Sequence, residues 1–174
     1  GSSADPRVGA YWSGGGITIH GSSPTIKNCI IKSNNNFNGT AGSSGAAGIE
    51  IAKANQWSNT VSPTIENCII SNNTGDGINI NDSGFNCGSY PCATVYVKNS
   101  LIYENTGIGI QCKNYPQFTI INCTIADNGG RGVYVEDGVE SGQIIKNTIV
   151  WGNEPSSQNV YATPQTTVSY SIVQ

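Results

Sequence analysis

The sequence predicts an all-β solenoid of stacked parallel coils, and three observations predict it. Two short motifs alternate along the chain, so each pair of copies reads as one rung of a repeating structure. The composition holds 22 Ile, 22 Gly and 21 Asn, with a single Leu (Leu101) and no Met. Helical cores draw on Leu, Ala and Met, whereas β-branched residues fit pleated strands and Gly and Asn supply turns, which excludes an all-α fold. Apolar residues also alternate within each motif, as half-buried strands require.

The elements follow in order. The first motif opens each coil: Gly16-Ile17-Thr18-Ile19, Gly48-Ile49-Glu50-Ile51, Gly77-Ile78-Asn79-Ile80, Gly109-Ile110-Gln111-Cys112 and Gly132-Val133-Tyr134-Val135, with Asn159-Val160-Tyr161-Ala162 as a degenerate sixth. The second motif follows within each coil. It reads Thr25-Ile26-Lys27-Asn28-Cys29-Ile30-Ile31, then Thr64 to Ile70, Tyr96 to Ile102, Ile120 to Ile125 and Ile145 to Val150. All five copies carry a second Asn six residues after the first: Asn34, Asn73, Asn105, Asn128 and Asn153. A sixth copy, Val168-Ser169-Tyr170-Ser171-Ile172-Val173, lacks the bend Asn. The leading residues lie 32, 29, 32, 23 and 27 apart, the signature of a fixed coil with loop insertions. Such strands are too short to fold alone, so stacking must supply the core.

Parallel stacking at ~4.8 Å per coil places equivalent residues above one another. Isoleucines then form interior ladders, and Asn at each bend tolerates left-handed backbone while its amide bonds to the next coil. Cys29, Cys68 and Cys123 follow the bend Asn where other copies have Ser100, Thr148 and Ser171, which points to a tight interior slot. These three and Cys112 read as buried thiols acting as small hydrophobes, a Cys29–Cys68 bridge being the alternative. Cys87 and Cys92, four residues apart in one loop, are within reach of a small-loop disulfide, which suits an oxidising compartment.

The Asn-x5-Asn and Gly-Ile-x-Ile copies resemble the repeats of right-handed parallel β-helix proteins, the pectate-lyase-like superfold. The phrase Ser22-Ser23-Pro24-Thr25-Ile26-Lys27-Asn28-Cys29 is similar to stretches of large secreted bacterial surface proteins. The fold expected is therefore a right-handed parallel β-helix of about six coils over residues 14–174, belonging to a longer chain. Residues 1–13 form a lead-in or cap, in which Tyr11 and Trp12 fold over the first coil and Gly1-Ser2-Ser3 has the composition of a cloning scar. The resemblance implies a secreted or cell-surface location. It is poor for function, because one such architecture hosts lyases, hydrolases, epimerases and adhesins.

The residues themselves narrow the chemistry. Charged residues make up 11 % and the formal net charge is −3, which gives no electrostatic case for nucleic acid or an anionic membrane. No apolar run approaches a membrane span. In the Gly-Ile-x-Ile strands the x positions should face solvent, giving one outer column of Thr18, Glu50, Asn79, Gln111, Tyr134 and Tyr161. A second column holds His20, Ala52, Asn81, Lys113, Glu136 and Thr163. Loop insertions carrying Trp57, Tyr90 and Tyr115 leave one corner and could wall a groove, where rings beside amides and carboxylates suit sugars. Solvated strand surface and loop packing is the plainer account of the same residues. For catalysis, lyases of this fold commonly use Arg or Lys as base, and Lys113 is the best-placed amine. A hydrolase needs two carboxylates flanking the bond, and Glu50 with Asp82 is the one pair worth testing. No nucleophile–histidine–acid set can be assembled around His20, the sole histidine. No cofactor is called for, although Asp137 and Glu140 could hold Ca²⁺ with backbone carbonyls.

The expectation is a non-catalytic extracellular β-helix module that binds carbohydrate or attaches to a surface. A polysaccharide lyase or glycoside hydrolase on the exposed strand face is the alternative, and a structural spacer of an adhesin the third reading. A polysaccharide or cell-surface glycan is the expected partner, and open coil ends allow end-to-end self-association.

Overall fold

The computed structural model describes residues 15–35, 46–52, 61–81, 93–113, 116–136, 142–155 and 159–174. Within them every coil contributes one strand to each of three six-stranded sheets. The first sheet contains β1 (Ile17–His20), β4 (Ala46–Ala52), β7 (Asp76–Asn81), β10 (Ile110–Lys113), β13 (Val133–Val135) and β16 (Val160–Tyr161). The second contains β2 (Thr25–Lys27), β5 (Thr64–Glu66), β8 (Thr94–Lys98), β11 (Gln117–Ile121), β14 (Ile144–Lys146) and β17 (Thr167–Ser169). The third contains β3 (Ile30–Lys32), β6 (Ile69–Ser71), β9 (Leu101–Tyr103), β12 (Thr124–Ala126), β15 (Ile149–Trp151) and β18 (Ile172–Val173). Each strand pairs in parallel with its equivalent one coil away, as at Ile26↔Ile65, Ile65↔Val97, Val97↔Ile120 and Ile120↔Ile145. This is an all-β, right-handed parallel β-helix of about six coils.

The corner between the second and third sheets is a single left-handed residue in every coil. Asn28, Asn67, Asn99, Asn122 and Asn147 all have φ between 49° and 57°. Asn tolerates this geometry because its short polar side chain bonds locally. The sixth coil imposes it on Tyr170, φ 49°. The corner amides stack as expected: Asn67 donates to Asn28 Oδ1 at 3.2 Å, and Asn122 to Asn99 Oδ1 at 3.1 Å. Five residues on, Ser33, Asn72, Glu104, Asp127 and Gly152 make a second left-handed corner.

The second Asn of each copy turns inward and builds a buried ladder of opposite polarity. Asn34 donates to Asn73 Oδ1 at 2.9 Å, Asn73 to Asn105 at 2.8 Å, Asn105 to Asn128 at 2.9 Å and Asn128 to Asn153 at 2.8 Å. Each of these oxygens also accepts the preceding ladder residue's backbone N–H, so every rung carries two bonds. Asn153 finds its acceptor on Asn159, at 2.7 Å, the residue standing where earlier coils have glycine. Those glycines are obligatory for steric reasons: a Cβ on Gly48 would lie 2.2 Å from the Gly77 carbonyl oxygen.

Behind the corner Asn, thiol and hydroxyl side chains share one slot. Each donates to the carbonyl two residues back: Cys29 to Lys27 at 3.2 Å, Cys68 to Glu66 at 3.2 Å, Ser100 to Lys98 at 2.7 Å and Thr148 to Lys146 at 2.9 Å. Cys29 and Cys68 are accordingly free thiols, as are Cys112 and Cys123, and the Cys29–Cys68 alternative falls away. Burial raises the Cys68 thiol above its ordinary pKa, pushes Cys123 up to about 11 and raises Cys112 further. Cys87 and Cys92 lie outside the described residues, as do Tyr11 and Trp12 of the expected lid.

One apolar cluster runs through all coils, with Ile49, Ile65, Ile70, Ile78, Ile80, Ile102, Ile110, Phe118, Ile120, Ile125 and Ile145 at its centre. Burying each such side chain contributes roughly 1.5–3 kcal/mol relative to exposure.

Candidate functional site

The first outer column exists in the expected register. Thr18 pairs with Glu50, Glu50 with Asn79, Asn79 with Gln111, Gln111 with Tyr134 and Tyr134 with Tyr161. Its accessibility differs from the expectation. Thr18 is exposed, but Glu50 is only 4 % exposed, Asn79 0 % and Gln111 6 %, while Tyr134 and Tyr161 are half-buried. Alternation dictates which way a side chain leaves the strand; it does not dictate whether that side of the sheet is open to water. Among the described residues Gln111 Oε1 is buried without a hydrogen-bond partner.

The second column mixes accessibilities in the same way. His20 is exposed, Asn81, Lys113 and Glu136 are half-buried, and Ala52 and Thr163 are buried. Asn81 pairs with Lys113 in register, and the Glu136 N–H bonds to the Cys112 carbonyl at 3.0 Å, which sets Lys113 and Glu136 on neighbouring coils. Trp57, Asp82, Tyr90, Tyr115, Asp137 and Glu140 lie outside the described residues. The Glu50–Asp82 pair, the aromatic corner and the Ca²⁺ candidates therefore have no described geometry. Among the described residues no group of three or more His, Cys, Asp or Glu side chains is placed to hold a metal ion.

At the C-terminal end of the first column the geometry is well defined. The Tyr134 and Tyr161 rings stack with centroids 5.3 Å apart and planes 17° apart. The Arg131 guanidinium lies over both, 5.5 Å from the Tyr134 centroid and 5.2 Å from that of Tyr161. Offset stacking and cation–π attraction hold such a group together. Column position marks Tyr134 and Tyr161 in the sequence, whereas Arg131 lies in the turn before β13 and only the fold brings it over both rings.

Asp76 was also missed. It opens β7, is 8 % exposed, and its Oδ1 accepts the Ile108 N–H at 2.8 Å. Burial raises its pKa to about 6, against the lowering effects of that N–H and of the Lys113 charge. Lys113 thus has an acidic neighbour that column reading did not supply.

A third feature lies on the outer wall of the third sheet. Ile30, Ile69, Leu101, Thr124, Ile149 and Ile172 stand in one register line across the third sheet. They face outward, Ile30 being 65 % exposed, whereas their neighbours Ile31, Ile70, Ile102 and Ile125 face the core. A shallow, open groove lies between the middle of this line, Ile69, Leu101 and Thr124, and the corner amides Asn67, Asn99 and Asn122. The Ile-Ile doublets held the signal, because in a period-2 strand two adjacent residues cannot both point inward.

Three parallel sheets, left-handed corners repeated from coil to coil and an internal amide ladder define a right-handed parallel β-helix. Comparison with known families agrees. A family model described as "Right handed beta helix region" matches residues 11–173, and the chain belongs to that family. No curated protein and no solved structure gives a significant match.

Proposed function

We propose that the chain is a non-catalytic β-helix module that binds carbohydrate or attaches to a glycan-bearing surface outside the cell. The stacked Tyr134–Tyr161 pair under Arg131 carries this reading. Sugar rings offer apolar faces to aromatic side chains and hydroxyls to charged and amide groups, and this cluster combines both. The test is a glycan array and affinity gels with the intact chain. Binding to at least one polysaccharide, weakened in Tyr134→Ala and Trp57→Ala, is expected; no binding to any would remove the ligand claim.

One observation favours a second reading, a polysaccharide lyase or hydrolase. Asp76, with its pKa raised to about 6 by burial, lies within electrostatic reach of Lys113, and acids perturbed in this way cluster at functional sites. A panel of uronate and neutral polysaccharides, followed by absorbance of unsaturated product and by reducing ends, separates the two. Turnover that disappears in Lys113→Ala would establish the enzyme.

A further inference from the structure

The outer wall of the third sheet carries a second, chemically different surface. The line from Ile30 to Ile172 forms a strip, aliphatic except at Thr124, parallel to the axis of the coil. On one side it is bordered by the corner amides, with the groove between them spanning three coils at Asn67, Asn99 and Asn122. On the other side, two residues along each strand and so ~6.6 Å away, runs the line Lys32, Ser71, Tyr103, Ala126 and Trp151. Trp151 is 51 % exposed and Tyr103 half-buried. Ala126 separates them by one small side chain, so the two rings stand two rungs apart, ~9.6 Å at ordinary interstrand spacing.

The charge distribution is equally particular. The second sheet presents Lys27, Glu66, Lys98 and Lys146 along one outer line, with Lys27 and Glu66 paired at 3.2 Å. On the third sheet the strands' outward positions carry one charge, Lys32; Glu104 and Asp127 sit at the far corner, beyond the aromatic line.

We propose that this wall binds a neutral β-1,4-linked polysaccharide lying along the axis of the coil. This inference rests on the glycan-binding reading and names the ligand class. An extended β-1,4-linked chain is a ribbon whose pyranose faces are apolar and whose edges carry hydroxyls. Its disaccharide repeat is close to the two-rung separation of Tyr103 and Trp151, so equivalent sugars meet both rings. The aliphatic strip takes the intervening apolar surface, and the corner amides, each with donor and acceptor capacity, take one hydroxyl edge. A polyuronate would bring a carboxylate on each sugar to a strip whose own outward positions carry one cation, Lys32, at its first coil.

The experiment is co-sedimentation of the intact chain with insoluble cellulose and chitin, with titration of soluble cellohexaose and chitohexaose. Two variants accompany it: Trp151→Ala, which removes a ring, and Ala126→Arg, which fills the gap between the rings. Both positions face outward, and an unchanged urea midpoint certifies each fold. Retention of the wild type on one of the solids, at least tenfold weaker in both variants, is the expected result. No retention on either solid overturns the proposal, as does retention that both variants preserve. A concentration-dependent dimer that Ala126→Arg abolishes, with no glycan retained, also overturns it and assigns the wall to a second copy of the chain. Binding to polygalacturonate alone, unaffected by Trp151→Ala, overturns this inference while leaving the proposed function standing.

Discussion

Asp76 shows how a single buried side chain couples this fold to pH. Its carboxyl is held in place by the Ile108 N–H and titrates at about 6, above its ordinary 3.8, because burial penalises the anion. Below about pH 4 the group is protonated folded and unfolded, so its stabilising contribution is fully present. As pH rises to 6 the unfolded chain releases the proton first, and stability falls by roughly 3 kcal/mol at most. Asp76→Asn keeps an oxygen for Ile108 and removes the titration. Urea unfolding at pH 4 to 7 should therefore show the variant losing less stability across that window than the parent. Tyr170 is the other instructive residue. It occupies the left-handed corner that Asn fills in all five earlier coils, φ 49°, with its ring 83 % exposed and Lys146 Nζ 5.8 Å from its centroid. Tyr170→Asn should relieve backbone strain and stabilise the sixth coil by about 1 kcal/mol, read as slower native-state hydrogen exchange of its amides.

At the scale of the element, the two amide ladders have different roles. In the buried one, Asn105 donates to Asn128 Oδ1, Ile70 O and Tyr103 O and accepts both the backbone and side-chain N–H of Asn73. Asn105→Ala leaves those donors and acceptors buried without partners, at a cost of about 2–5 kcal/mol. In the exposed corner ladder Asn122 shares one amide bond with Asn99 and one with Asn147, and water reaches the rest. Asn122→Gly retains the left-handed corner and should cost under about 1 kcal/mol. Side-by-side equilibrium unfolding of the two variants checks the contrast. The ladder polarities run oppositely, the buried amides donating toward the C-terminal coil and the corner amides toward the N-terminal one.

At the scale of the whole molecule, each coil touches only its neighbours, so stability is a sum of rungs and interfaces. Among the described rungs the inward positions of the sixth coil are the most exposed: Val168 is 44 % and Val173 41 % exposed, against 0 % for Ile145 and Val150, their partners one coil before. Native-state hydrogen exchange should find the amides of β17 and β18 exchanging through local opening, while those of β8, β9, β11 and β12 wait for global unfolding. Equal protection throughout would mean that the coils unfold as one unit.

Coil number, strand order, register and both columns of the first sheet were legible in the text of the chain. A one-dimensional stack converts sequence period directly into spatial neighbour, so Asn28, Asn67, Asn99, Asn122 and Asn147 had to line one corner once the repeat was parallel. Accessibility was not legible in the same way. Glu50, Asn79 and Gln111 point outward by alternation and are buried all the same, because whether a strand's outer side meets water depends on the chain around it rather than on its own period. The roles of Arg131 and Asp76 were decided likewise by three-dimensional neighbours, Tyr161 and Ile108, that lie 30 and 32 residues away. Repetition determined the rungs; only tertiary packing decided which faces of them remain open to a ligand.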